Sequence, residues 1–358
     1  MRTPAAILAA FLILVILSDA FQTIILSRRV VRRFRLTRAF YRLLWTPWRA
    51  VARRLPEGYW REAVLTVFGP LSLILLIILW ALGLVVSFGL LHWGLRSQLL
   101  DRDGTSGFGV DLYMSGTTFF TLGLGDVTPS TPVARVLTVL ESFMGFAFLA
   151  LVIGYLPLIS QAFSRREVSI SMLDARAGSP PTAARLLCRH GDDRRDDLVD
   201  LLRAWERWSA ELLESHISFP VLSYFRSQHD NQTWVAALTT VLDACALLVA
   251  RLDEQPVTMA RLTFAMARHA VLDLCAVFRL EPASPAGDRL PAAEEERLES
   301  VLSAVGLRLR SDETSVGKFV SLRSTYEPYV YALSNYLLMP LPPWVPRETA
   351  QPGWHTIA

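Results

Sequence analysis

The sequence has a single lysine, Lys318, among 36 basic residues, which limits lysine chemistry and reflects composition rather than function. Its three cysteines, Cys188, Cys245 and Cys275, all lie after residue 165 and contain no CxxC pair. They read as buried reduced thiols, not as a disulfide frame or a metal cluster. A net charge of +3 over 358 residues is too small to indicate a nucleic-acid partner. No strand runs into GxGxxG and no P-loop is present, so a nucleotide-binding domain lacks its signature, and no Ser-His-Asp arrangement can be inferred. Strand alternation is scarce throughout. No charged residue interrupts the stretch Val67 to Leu95.

What the chain does have is apolar length. Hydrophobic residues make up 52% of it, too apolar for an ordinary soluble protein of this size. The excess lies in runs near 5–26, 67–95 and 133–163, while the part after Arg165 resembles a water-soluble domain. A bilayer core of about 30 Å needs about 20 apolar residues in a helix, and each run meets that length. The first has features of a signal peptide, with Arg2 at its start and Ser18-Asp19-Ala20 as small residues near its end. Cleavage would export the arginine-rich segment that follows, against the positive-inside rule, so a retained spanning helix is expected. Asp19 within that span should face protein or the interface, reaching toward Arg28 or Arg29.

That basic segment holds Arg28, Arg29, Arg32, Arg33, Arg35, Arg38, Arg42, Arg49, Arg53, Arg54 and Arg61 against only Glu57 and Glu62. Arg29, Arg32, Arg35 and Arg38 recur at the three-residue spacing of voltage-sensing helices, but Arg28 and Arg33 break the pattern. An interfacial helix is expected instead, with Val30, Val31, Phe34, Phe40, Tyr41 and Trp45 toward lipid and arginines at headgroups. Arg165-Arg166 ends the third run on the same side. Residues 27–62 and those after Arg165 are therefore expected to be cytoplasmic, and the loop 96–110 external.

Between the second and third runs, Gly109 to Pro129 is too short for another crossing. Val110 to Phe120 fits a short helix, and Thr121-Leu122-Gly123-Leu124-Gly125-Asp126 follows at once. Backbone that leaves helix inside a membrane must be buried in protein or line a water-filled cavity. Rings of carbonyl oxygens replace the water shell of a potassium ion, but successive carbonyls of an ordinary extended strand alternate in direction. Gly123 and Gly125, free to take positive φ, allow the carbonyls of Thr121, Leu122, Gly123 and Leu124 to face one axis, with the Thr121 hydroxyl as an inner ring. The preceding helix would direct its partially negative C-terminal end toward the cavity.

The order outer helix, short re-entrant helix, TxGxGD, inner helix resembles the potassium-channel pore module, over Ala63 to Arg165. Thr118 and Thr121 match the Thr-x-x-Thr ahead of the filter. Asp126 matches the capping aspartate, Pro129 a proline just after it, and Gly145 the glycine hinge of the inner helix. The resemblance implies a homotetramer in the cell membrane, of bacterial inner-membrane type. It also implies potassium held only by filter carbonyls, no other cofactor and no enzymatic activity. Two positions depart from the family: Leu124 stands where Tyr or Phe is usual, and Leu122 where Val or Ile is common. At Thr117 the glutamate that pairs with the cap in some relatives is missing. Phe119 and Phe120 are expected to form an apolar cuff, and Gly145, Gly154 and Pro157 to provide flexible points on the inner helix.

The expected architecture is an all-α membrane protein in three parts. These are an N-terminal transmembrane helix with its basic interfacial segment (1–62), the pore module (63–165) and a cytoplasmic helical domain (166–358) with a regulatory role and an unknown ligand. Beyond the linker-like Ala177-Gly178-Ser179-Pro180-Pro181, helical patterns run over 198–216, 234–252, 259–280, 292–309 and 316–338. Trp205, Trp208 and Trp234 read as core anchors. Two alternatives stay open. One is a weakly selective cation channel of the same fold, because of Leu124. The other is a membrane-anchored sensor or metal hydrolase, because His190…His229-Asp230…Asp243 resembles HD-type phosphohydrolases, although Asp230 also suits a helix cap.

Overall fold

The structure is a computed structural model and describes residues 2–25, 36–97, 99–101, 106–190, 195–228, 231–252, 256–284 and 287–346. The chain divides into two compact units, Met1–Ser160 and Gln161–Ala358. Among the described residues, three helices are long and apolar enough to cross a membrane: α1 (Thr3–Ile24), α3 (Tyr59–Gly94) and α5 (Pro132–Ala177).

In the first unit α1 packs along α3. Asp19 of α1 is 5% exposed and is satisfied by protein donors. The Thr37 hydroxyl donates to it at 2.6 Å, the Thr37 backbone N–H at 3.1 Å and the Trp80 indole at 3.1 Å. It thereby joins α1, α3 and the start of α2 (Leu36–Arg54). A carboxylate within an apolar span persists where such donors replace water. Arg28 and Arg29, the partners expected from sequence, lie outside the described residues, as do Val30, Val31, Arg32, Arg33, Phe34 and Arg35.

Helix α2 is amphipathic, but its aromatic face turns inward. Tyr41 and Trp45 are buried, Trp45 meets Phe68 of α3 edge-on at 4.7 Å, and the Trp48 indole donates to the Val64 carbonyl. The expectation that Tyr41 and Trp45 face lipid is thus corrected: α3 begins at Tyr59, earlier than its hydropathy suggests, and offers them an aromatic surface. The turn between α2 and α3 uses Gly58 at φ 139°. At 36 residues and 1.5 Å each, α3 extends about 54 Å, more than a bilayer core requires.

The short helix α4 (Phe108–Phe119) packs against α3. Two three-residue strands flank it, β1 (Leu99–Asp101) and β2 (Val127–Pro129), paired antiparallel with Leu99 opposite Pro129 and Asp101 opposite Val127. They tie the chain after Asp126 to the loop after α3.

The second unit is helical: α6 (Ala183–His190), α7 (Arg195–Ser218), a 3-10 turn at Pro220–Tyr224, α8 (Trp234–Ala250), α9 (Val257–Phe278), α10 (Ala292–Ser303), α11 (Glu313–Ser324) and α12 (Glu327–Leu337). Every residue of α8 is buried, which places it at the centre. Trp205, Trp208 and Trp234 are all buried. The single helix expected over 316–338 is two helices, because Pro328 lacks an N–H and sits in the first turn of α12. The helix expected over 292–309 stops at Ser303, ahead of Gly306 at φ 86°. Asp243 of α8 forms a buried pair with Arg289 at 2.7 Å and accepts from the Tyr326 hydroxyl.

Candidate functional site

The end of α4 determines the course of TLGLGD. The Thr121 N–H donates to the Thr118 carbonyl at 3.1 Å and the Leu122 N–H to the Thr117 carbonyl at 2.8 Å. These are the two bonds of a Schellman cap, with Thr121 in the left-handed position that glycine usually fills. Thr121 has φ 59°. For a β-branched residue that conformation is strained by about 1–3 kcal/mol, and such strain clusters at functional sites.

Left-handed backbone recurs at every second residue: Thr121 at φ 59°, Gly123 at 56° and Gly125 at 76°. The Gly123 N–H also turns back to the Thr117 carbonyl, at 3.3 Å. Turning alternate residues removes the usual reversal of successive carbonyls along a strand. Thr121 to Gly125 are all exposed in the single chain, Leu122 and Leu124 by 60% and 62%.

Asp126 ends the segment. Its Oδ2 accepts from the Tyr113 hydroxyl at 2.7 Å, and its Oδ1 accepts from the Val127 N–H at 3.1 Å. The Tyr113 hydrogen bond holds the Asp126 carboxyl below its ordinary range. Tyr113 was not singled out from sequence, since only the fold of α4 carries it over the 13 residues to Asp126. Thr117 bonds to the Met114 carbonyl within its own helix.

Among the supporting residues, Thr118 and Phe119 are buried, and Phe119 lies 5.9 Å from Phe148 of α5. Phe120 is 53% exposed. Phe119, Phe120 and Thr121 also border an open apolar pocket of about 330 Å³ that Ile77, Gly145 and Phe146 help to line. Gly145, Gly154 and Pro157 all lie inside α5, which is helical through each. At Gly145 the inner helix presses on α4: a Cβ there would lie 2.0 Å from the Phe119 carbonyl oxygen. At Gly154 a Cβ would meet nothing within 4 Å.

Residues 72–157 match the family described as Ion channel. They form an ion-channel domain. That domain takes in most of α3, all of α4, TLGLGD and α5 as far as Pro157. The chain is also 24% identical over 196 residues to the uncharacterized membrane protein YdjJ of Bacillus subtilis (strain 168), a match covering 54% of this chain and 56% of that one. The chain thus spans about half the length of this curated relative. No solved structure matches it significantly.

The hydrolase pattern falls outside the ion-channel domain. His229 and Asp230 are outside the described residues, the His190 ring bonds to the Leu186 carbonyl at 2.8 Å, and the Asp243 carboxylate is taken by Arg289 and Tyr326. Among the described residues no three His, Cys, Asp or Glu side chains gather as a metal site.

Proposed function

We propose that this chain is one subunit of a homotetrameric potassium channel of the cell membrane, with TLGLGD as its selectivity filter. The observation that carries the reading is the left-handed backbone at Thr121, Gly123 and Gly125, directly after a short helix in an ion-channel domain. Carbonyls turned to one side and repeated around an axis replace the hydration shell of a potassium ion. The C-terminal end of α4 adds partial negative charge near that axis.

Exposed apolar side chains support assembly. Val136, Val139, Phe143, Phe146 and Ile153 of α5 are each at least 60% exposed in one chain. Neighbouring subunits and lipid together would cover such a surface. In this reading α2 and the second unit lie on the cytoplasmic side, because the arginine-rich segments are there. Potassium is the permeant ion, and no cofactor takes part.

The second unit adjusts gating by holding the end of the inner helix. Arg166 of α5 is buried and donates to the carbonyls of Leu222 and Phe225, each at 2.9 Å, and to Glu167. Glu167 in turn accepts from Ser227 and the Gln228 N–H. Movement of the 220–228 segment therefore pulls on a helix that also contains Gly145.

Potassium flux from liposomes containing equal amounts of wild type and Gly123→Ala tests the reading. A Cβ at a left-handed position is unfavourable by about 1–2 kcal/mol per residue. Flux should be abolished while insertion persists; normal flux in the variant would remove TLGLGD as the filter. A second reading, a cation pore of poor selectivity, is favoured by Leu124, where an aromatic wall is absent. Leu124→Tyr should then sharpen potassium over sodium.

A further inference from the structure

Away from TLGLGD, three polar side chains from three helices meet inside the first unit. His92 of α3, Ser115 of α4 and Glu141 of α5 are each 0% exposed. The Ser115 Oγ lies 2.7 Å from the Val85 carbonyl and is hydrogen-bonded to Glu141 Oε1. His92 Nε2 lies 3.6 Å from Glu141 Oε2. Neither of those atoms, nor His92 Nδ1, has a hydrogen-bond partner among the described residues.

Hydrogen counting constrains this cluster. A serine hydroxyl has one hydrogen, and a carbonyl only accepts. When Ser115 donates to Val85, the bond between Ser115 and Glu141 closes only if Glu141 donates, as the neutral acid. Removing that proton turns the serine hydrogen toward Glu141 and breaks the bond from Ser115 to the Val85 carbonyl. It also leaves a buried carboxylate whose one ion-pair candidate among the described residues is His92, an arrangement that burial strongly disfavours.

Other charged groups face the cluster from the packed elements. Asp111 of α4 is buried, one helical turn before Ser115. Arg2, just ahead of α1, lies 5.3 Å over the Trp93 ring, while Asp19 of α1 is engaged by Thr37 and Trp80. On α5 itself, Arg135 donates to the Pro129 carbonyl. None of these is hydrogen-bonded to Glu141.

We infer that Glu141 holds a proton that ties the inner helix to the pore helix and, through Ser115, to Val85 of the outer helix, and that losing the proton loosens the tie and changes channel opening. The effect on opening rests on the channel reading. The proton site does not.

The test uses the full chain in liposomes, as wild type, Glu141→Gln and Ser115→Ala. Infrared spectra and potassium flux are recorded between about pH 5 and pH 9, a range bracketing imidazole and buried-carboxyl titration. Glutamine keeps the size and the donor but cannot titrate. The expected result is a protonated-carboxyl band in wild type that is missing from Glu141→Gln, shifts in Ser115→Ala and disappears as pH rises. Wild-type flux should change about fivefold or more as the band is lost, the lower end of ordinary coupling, and Glu141→Gln flux should stay flat. Should Glu141→Gln fail to insert, the shift in Ser115→Ala still identifies the band, and an unshifted band would overturn the assignment. Absence of a Glu141-dependent band at every pH would overturn the proton site. A titrating band with constant flux would overturn its role in opening. A titrating band in a protein without flux would support the proton site while overturning the channel reading.

Discussion

Gly145→Ala separates two roles for the same glycine. The inner helix reaches α4 so closely here that an added Cβ would lie 2.0 Å from the Phe119 oxygen, 2.9 Å from its carbonyl carbon and 3.1 Å from its Cα. Carbon and oxygen sit comfortably at about 3.3–3.6 Å, so one helix must retreat by more than an ångström. All three neighbours are backbone, and no side-chain rotation relieves the clash. Overpacking of this kind destabilises by about 1–3 kcal/mol per subunit. The strain falls on the last turn of α4, where the bonds from Thr121 and Leu122 begin. Gly154→Ala is the matched control, because its Cβ meets nothing within 4 Å and alanine favours helix over glycine by about 1 kcal/mol. The assay is thermal unfolding of purified protein alongside potassium flux. Gly145→Ala is expected to lose both stability and flux, and Gly154→Ala to keep stability. If Gly145→Ala were as stable as wild type but lost flux, flexibility rather than close packing would be its role, and the reasoning here would fail.

Thr37→Val removes the 2.6 Å donor to Asp19 and should destabilise the first unit by about 1–3 kcal/mol, read as a lower thermal midpoint. Arg166→Ala leaves the Leu222 and Phe225 carbonyls without their guanidinium donor; it should destabilise the second unit by about 3–5 kcal/mol and alter open probability without altering ion preference. His216 supplies a pH dependence. Its Nδ1–H donates to the Leu212 carbonyl, so Nε2 is the acceptor facing Arg166 at 3.3 Å. Burial, then the Arg166 charge, hold its pKa well below the ordinary imidazole value. The unfolded chain therefore takes up a proton below about pH 6.5 that the folded chain refuses. Stability should fall as pH drops below that value, and tryptophan fluorescence of denaturant-treated His216→Gln should show a smaller loss.

The apolar runs of α1, α3 and α5 were legible because membrane helices announce themselves by composition alone. The positive φ at Gly123 and Gly125 was legible because glycine at every second position suits a backbone that needs left-handed turns. The Schellman cap was not, since it places a left-handed conformation on Thr121, where residue type argues against one. The Tyr113 bond to Asp126 and the His92, Ser115 and Glu141 cluster depend on how α3, α4 and α5 pack, and no sequence period encodes that. Asp19 was recognised as needing a partner, yet Thr37 and Trp80 are neutral donors that charge counting overlooks. In the second unit, Pro328 was visible in the sequence but sits within a pattern regular enough to suggest one continuous helix.

The reversal potential of the reconstituted protein in a potassium/sodium gradient tests the proposed filter most directly. A carbonyl-lined TLGLGD filter requires reversal near the potassium equilibrium potential, with the current lost in Gly123→Ala; reversal near zero, or current that survives in Gly123→Ala, would contradict it.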